Sequence, residues 1–356
     1  MRVAVLWYGL TGYLNACLRA LSQQPDVELF VAHKKAHAQA PYEKEQFAWI
    51  PHQFYWETYS DLAELPEHVE RFDPDVIVMV GWRVQGYREI AKSYKGRAVR
   101  IMTMDNNWLN TPRQWLGIFS SRLYLKPYVD AVWVPGERQA SFAVRMGFDQ
   151  SRLLRGLYSC DQESFAKVHL ARTSSRKAIA QRFLFVGRFS EEKGIKVLSE
   201  GYRRYRQKQS NPWPLLCCGT GPLEHLLAGQ AGVQLEGFVQ PSELPSKFGE
   251  CGCFVLPSTF EPWGVVVHEA VSAGLIVLAS APVGSTPHLV QYNYNGFVFG
   301  PGDADSLAEI MDRISSAPTE KLEDMSAASY SLSKQFTPKL WASSLVTYCK
   351  YHITHN

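Results

Sequence analysis

A chain of 356 residues is longer than one ordinary hydrophobic core sustains, so two domains are expected. With 46% hydrophobic and 20% charged residues it reads as a soluble globular protein and not a disordered one. A formal net charge of +3 excludes a strong overall field towards nucleic acid, and no apolar run approaches the ~18 residues that a membrane span needs.

In chain order, Val3–Leu6 reads as a buried strand running into a turn with Gly9 and Gly12. This start is not expected to be a signal peptide, because its apolar stretch is short and Gly9 and Gly12, not a small-residue cleavage site, follow. Leu14–Gln23 has helical period, and Val27–Ala32, Val76–Val80, Arg100–Met104 and Ala131–Val134 are further strands. The same grammar restarts at Phe183–Val186. It continues through a helix at Lys193–Arg206, strands at Leu215–Cys218, Val233–Leu235 and Cys253–Leu256, a helix at Val265–Ala273 and a strand at Ile276–Ala279. Alternating strands and helices mean parallel sheets covered on both faces, so the expected fold class is α/β with two Rossmann-like doubly wound domains. The expected boundaries are a first domain over 1–166, a polar linker over 167–181 and a second domain over 182–333. The remainder, 334–356, is expected to be a helix packing back on the first domain. Such domains bind ligands outside the carboxyl ends of their strands, so a cleft between the two is the expected site. Seven cysteines without a CxxC pair indicate neither zinc nor a disulfide framework; buried thiols and a cytoplasmic location are expected.

Two segments carry chemistry. In Pro257-Ser258-Thr259-Phe260-Glu261-Pro262-Trp263-Gly264-Val265-Val266-Val267-His268-Glu269-Ala270, Pro262 suits a first helical position and Gly264 permits close approach of a ligand. A helix start of this kind is an anion site, with Glu269 a turn or two inside to accept from a diol such as ribose. In Gly187-Arg188-Phe189-Ser190-Glu191-Glu192-Lys193-Gly194, directly after a strand, Arg188 and Lys193 suit a diphosphate. The turn Gly219-Thr220-Gly221-Pro222 and the loop Val283–Pro287 also follow strands. Asp303-Ala304-Asp305 matches a metal-binding DxD pattern but stands just before the apolar helix Leu307–Ile310, where Asp303 reads as an N-cap and no metal is expected. Between Gly81 and Pro127, nine cations (Arg83, Arg88, Lys92, Lys95, Arg97, Arg100, Arg113, Arg122, Lys126) face two acids, Glu89 and Asp105, with Trp82, Tyr87, Trp108, Trp115 and Tyr124 among the residues interleaved. That stretch suits a solvated basic face or peripheral contact with an anionic membrane surface or a lipid-diphosphate.

The ordered blocks GR-x3-EKG, GTGP, EGFV, PS-x2-EPWG-x4-EA and NG-x8-D, covering roughly Phe183 to Asp303, resemble the retaining glycosyltransferases of family 4, of GT-B fold (glycosyltransferase group 1). The resemblance implies a metal-independent hexosyltransferase without a cofactor. A nucleotide diphosphate sugar is its co-substrate and a glycan or lipid-linked molecule its acceptor, in cell-surface polysaccharide or glycoconjugate synthesis. It implies that Arg188 and Lys193 bind the donor diphosphate and that Glu261 contacts the sugar. The backbone of Trp263, Gly264 and Val265 would hold sugar or phosphate, Glu269 the ribose, and Phe238 and Val239 would lie near the base. The Gly9–Gly12 turn would border the cleft. Where the family often has a catalytic His this chain has Asp105. Gly136, His288 and Tyr158-Ser159-Cys160-Asp161 stand in place of the usual Ser, Glu and NGVD. Two rival readings share the architecture: a catalytically silent nucleotide-sugar-binding subunit, and a GT-B nucleotide-sugar epimerase or phosphorylase-like enzyme.

Overall fold

The structure, a computed structural model, describes residues 1–35, 47–125 and 127–355, without the side chains of 122, 123, 354 and 355. It divides into unit 1, Met1–Cys160 with Pro338–Asn356, and unit 2, Asp161–Thr337.

Unit 1 is built on seven strands, β1 (Arg2–Gly9), β2 (Glu28–Lys34), β3 (His52–Trp56), β4 (Val76–Val80), β5 (Val99–Thr103), β6 (Ala131–Trp133) and β7 (Leu153–Leu154). Every pairing is parallel and the order is β3-β2-β1-β4-β5-β6-β7. Alternate side chains of β1 leave on opposite faces: Val3, Val5 and Trp7 enter one core, Ala4 and Leu6 the other. A parallel sheet covered on both sides needs this continuous apolar run. The helices are α1 (Gly12–Ser22), α2 (Leu65–Phe72), α3 (Gln85–Ser93), α4 (Pro112–Tyr124) and α5 (Glu137–Arg145).

Unit 2 begins with α6 (Gln162–Ser174) and continues with β8 (Phe183–Val186), α7 (Ile195–Lys208), β9 (Leu215–Cys218), β10 (Val233–Gly237), α8 (Leu244–Gly249) and β11 (Cys253–Leu256). Then come α9 (Val265–Ser272), β12 (Ile276–Ser280), α10 (Thr286–Leu289), β13 (Gly296–Phe299), α11 (Ala304–Ser315) and α12 (Thr319–Ser333). Its parallel sheet has the order β10-β9-β8-β11-β12-β13 around one continuous apolar core. The chain then returns to unit 1 as α13 (Pro338–His355), where Trp341 stacks on Trp133 at 4.6 Å and its indole N–H donates to the Leu157 carbonyl.

The expected linker over 167–181 is corrected. Asp161 accepts from the Ser164 amide and caps a helix through Ser174, so 167–174 are helical and belong to unit 2. Phe165, Ala166 and His169 of that helix are buried, and Arg172 pairs with Glu323 at 2.6 Å. With few apolar residues at helical spacing, the segment looked like a tether. All seven cysteines are buried, with no disulfide among them, and burial pushes the thiols of Cys251 and Cys349 up to about 12. Among the described residues no helix is long and apolar enough to cross a membrane.

Candidate functional site

In a sheet of this order the chain switches direction between two central strands, and the loops leaving their carboxyl ends part to leave a crevice. In unit 2 those strands are β8 and β11, paired through Cys253 with Phe183 and Phe254 with Leu184. The loops leaving them are Gly187–Gly194 and Pro257–Gly264, the two segments in which the sequence places its chemistry.

These loops are locked together. The Thr259 amide donates to the Glu192 carbonyl at 2.9 Å, and Lys193 forms an ion pair with Glu261 across the gap. Gly194 has φ +71°, and a Cβ there would stand 1.9 Å from the Pro257 carbonyl oxygen, so only glycine lets the loops approach this closely. The GTGP turn braces the other side. Phe189 N–H donates to the Thr220 carbonyl, and a Cβ on Gly219 would lie 2.0 Å from the Gly187 carbonyl oxygen. The turn therefore shapes the Arg188 loop.

On the far side, Glu261 forms a parallel bridge with Val283, and the Gly284 and Ser285 amides donate to the Glu261 and Trp263 carbonyls at 3.0 and 2.9 Å. This corrects the expectation that Pro262 opens the helix. The bridge keeps Glu261 and its neighbours extended. Gly264, at φ +86°, makes the turn, and α9 starts at Val265. The first amides of α9 thus lie beside the Lys193–Glu261 pair, and α9 leads on to Glu269. The Trp263 side chain is buried, with its ring 5.6 Å from His288 and 5.7 Å from Phe336, so only its backbone remains for a ligand. His268, between the two glutamates in sequence, is structural. Its Nε2 lies 3.0 Å from the Ser333 carbonyl, and burial lowers its pKa to about 4.

The electrostatics divide the candidates. Arg188 is exposed, its side chain 62% accessible, and pairs with Glu192 at 3.2 Å. Lys193 and Glu261 are 20% and 12% accessible, a largely desolvated pair. Glu269 has a different setting. Burial first, and the Asp161 charge second, raise its carboxyl to about 7. No hydrogen bond to the Glu269 carboxylate is found among the described residues, and an unsatisfied carboxylate in such a place asks for donors from outside the chain. Phe238 and Val239 follow β10, two strands from β8 on the same edge, and Phe238 is exposed.

In unit 1, Gly9 ends β1 and Gly12 starts α1. A Cβ on Gly9 would meet nothing within 4 Å, so the fold itself does not demand glycine there. Asp105 follows β5, and its carboxylate accepts from the Tyr158 hydroxyl at 3.1 Å. Tyr158 packs edge-on against Tyr13 at 5.4 Å, and burial with the neighbouring Tyr13 and Asp105 holds its phenol well above the usual range, hence neutral and donating. Neither Tyr158 nor Asp161 was among the candidates; the departures from the family pattern at 158–161 were the only signal. If Tyr158 orients a working Asp105, Tyr158→Phe lowers kcat about 2- to 10-fold, the worth of one such hydrogen bond, and leaves KM for the donor unchanged. Steady-state kinetics checks this, and equal loss in both constants points to a general packing defect.

The structure sorts the basic stretch by its partners. Arg100 is buried and bonded through its guanidinium to both Asp130 oxygens, and Arg97 pairs with Glu70 and Asp73, so neither serves a ligand. Lys126 and the Arg122 side chain lie outside the described residues. Asp303 accepts from the Ser306 amide at 2.9 Å as the cap of α11, and Asp305 pairs with Arg204.

Residues 173–332 match the family model described as glycosyl transferases group 1. A sulfoquinovosyl transferase of Arabidopsis thaliana is 27% identical over 336 residues, 82% of this chain and 63% of that protein. An amylovoran biosynthesis glycosyltransferase of Erwinia amylovora is 30% identical over 168 residues, 44% of this chain and 41% of that protein. Both matches span less than two thirds of the relative's own length. The crystal structure of the Anabaena protein HepE in complex with UDP and glucose superposes with a TM-score of 0.74 at 17% identity, covering 99% of this chain and all of that one.

Proposed function

Since residues 173–332 belong to the group 1 glycosyl transferases and both units are Rossmann-like, as in the GT-B fold, we propose that the protein is a retaining, metal-independent hexosyltransferase. It takes sugar from a nucleotide diphosphate donor and delivers it to a glycan or lipid-linked acceptor in cell-surface polysaccharide or glycoconjugate synthesis, on the cytoplasmic side. The observation that carries this reading is the crevice between β8 and β11, where the half-buried Lys193–Glu261 pair, exposed Arg188 and the start of α9 adjoin, with Glu269 further along the same helix.

In this reading Lys193, Arg188 and the first amides of α9 neutralise the diphosphate as the glycosidic C–O bond breaks. The departing diphosphate oxygen accepts the proton of the incoming hydroxyl on the same face of the sugar, so configuration is kept and no enzymic nucleophile is needed. Glu261 addresses the sugar hydroxyls and Glu269 the ribose, while Asp105 is the polar group that unit 1 offers at its own carboxyl edge. The relatives' names, a sulfoquinovosyl transferase and an amylovoran biosynthesis glycosyltransferase, support transfer of a glycosyl group. Mass spectrometry of the purified protein with UDP-, GDP-, ADP- and dTDP-sugars tests the reading. Binding of one donor with slow donor hydrolysis supports it, and binding without hydrolysis or transfer favours the silent subunit.

With the charge neutralised by protein groups, activity is expected to survive EDTA, and Asp303→Ala to cost about 1 kcal/mol of stability without abolishing transfer. Loss of activity in EDTA that Mg²⁺ restores would show that Asp303-Ala304-Asp305 is a metal site after all.

A further inference from the structure

The helix α4 of unit 1 is built inside out. Pro112 stands at its first turn, the Thr111 hydroxyl accepts from the Gln114 amide, and the Gln114 side chain bonds the Leu109 amide and the Asn107 carbonyl, both at 2.7 Å. Its start is thus pinned. Its inward face is small and polar: Ser121 is buried, donating to the Met146 carbonyl at 3.0 Å, and among the described side chains of the helix Ile118 packs on the core beside it. Its outward face carries Phe119, 85% exposed, Leu116, 74% exposed, and Trp115, 53% exposed, with Leu109, 54% exposed, just before the helix. At 100° per residue the first three form one contiguous strip, and Arg113 and Ser120 border it. Burial of such side chains is favourable, so a helix that leaves this strip in water while covering a serine has a surface to meet.

The charge pattern identifies that surface. Between Asp105 and Asp130 the chain has no acid and three cations, Arg113, Arg122 and Lys126. On the preceding helix Lys92 is exposed, as is Lys95 just beyond its end, and Arg88 lies 4.9 Å over the Tyr124 ring at the end of α4. Aromatic and aliphatic side chains beside Arg113 of α4 and Arg88 and Lys92 of α3, with Glu89 the acid on that neighbouring helix, match an interface of acyl chains under anionic headgroups. We propose that α4 is the element by which this protein lies on an anionic bilayer, with Leu116 and Phe119 entering the acyl boundary. The proposal concerns unit 1 and stands whichever donor unit 2 takes.

The test is co-sedimentation of the full chain with vesicles of phosphatidylcholine alone, or of phosphatidylcholine mixed with phosphatidylglycerol. Binding to the mixed vesicles and not the neutral ones is expected, weakening as salt rises. Leu116→Ser combined with Phe119→Ser should reduce partitioning at least about ten-fold, and Arg113→Gln should flatten the salt dependence. Both apolar positions are mostly exposed, so the melting temperature should hold; if the double variant unfolds, the single variants provide the same reading. Wild-type protein that stays in solution with anionic vesicles overturns the proposal, as do variants that bind as well as wild type. Self-association that the same substitutions abolish, without vesicle binding, assigns the face to a second copy of the chain and also overturns it.

Discussion

Glu269→Gln is expected to stabilise the ligand-free protein above neutral pH and to weaken nucleoside diphosphate binding. Burial and the Asp161 charge raise the Glu269 carboxyl to about 7 from an ordinary value of 4.5. The folded state therefore holds a proton there that the unfolded chain has already released. The stabilising effect of that proton is complete below pH 4.5 and is lost as the pH rises to about 7. Above that, the wild type carries an ionised carboxylate in a poorly solvated place, and a glutamine does not. The variant's advantage in melting temperature should be absent at pH 4 and grow through this window. It should level off above neutrality at on the order of 2 kcal/mol, or roughly 4–8 °C.

A group that costs stability when empty and gains affinity when filled marks a binding site. Calorimetry with nucleoside diphosphate at pH 8 and pH 6 completes the test. The wild type should lose affinity about ten-fold more than the variant, because only the wild type must lose the Glu269 proton to accept two hydroxyls. The variant undergoes the same phosphate titration and corrects for it. Glu261→Gln is the contrast: nucleoside diphosphate affinity holds or improves, because Lys193 is released from its partner, while turnover falls. If both substitutions weaken nucleotide binding equally, the division of roles between the two glutamates is wrong.

Lys193→Ala is expected to lower kcat/KM about 10- to 150-fold, the loss of one charge-assisted contact to the diphosphate. The ion pair makes this loss larger than that of Arg188→Ala. Removing Lys193 leaves Glu261, only 12% accessible, without its cation and facing the incoming phosphates, whereas Arg188 is well solvated and its charge is screened. Lys193→Ala combined with Glu261→Gln should recover part of the nucleoside diphosphate affinity lost in Lys193→Ala alone, since the stranded negative charge is gone. Unchanged donor kinetics in Lys193→Ala would remove the residue from the site.

The strands were largely legible in the sequence. Val76–Val80, Phe183–Val186, Leu215–Cys218 and Cys253–Leu256 have the same limits in the structure, because a strand buried on both faces of a parallel sheet is a continuous apolar run bounded by turn residues. The tight loops of the second unit were legible for a related reason. Gly194 and Gly219 are fixed by backbone contacts that admit no side chain, so loop shape is written as residue identity. Tertiary structure alone decided the rest. The helix over Gln162–Ser174 has its few apolar residues without strong periodicity and is held by a cap, an ion pair and its neighbours, so it read as a linker. The start of α9 at Val265, beyond Pro262, depends on a bridge to Val283, which is distant in sequence. The ion pair of Lys193 with Glu261, the raised carboxyl of Glu269 and the hold of Tyr158 on Asp105 each join segments that only the fold brings together. So does the sorting of the basic stretch, where Arg100 turned inwards to Asp130 while α4 kept its apolar strip in water. Local sequence dictates strands and tight turns because their causes are local. Desolvation and charge pairing arise between distant segments, and they appear only when the chain is folded.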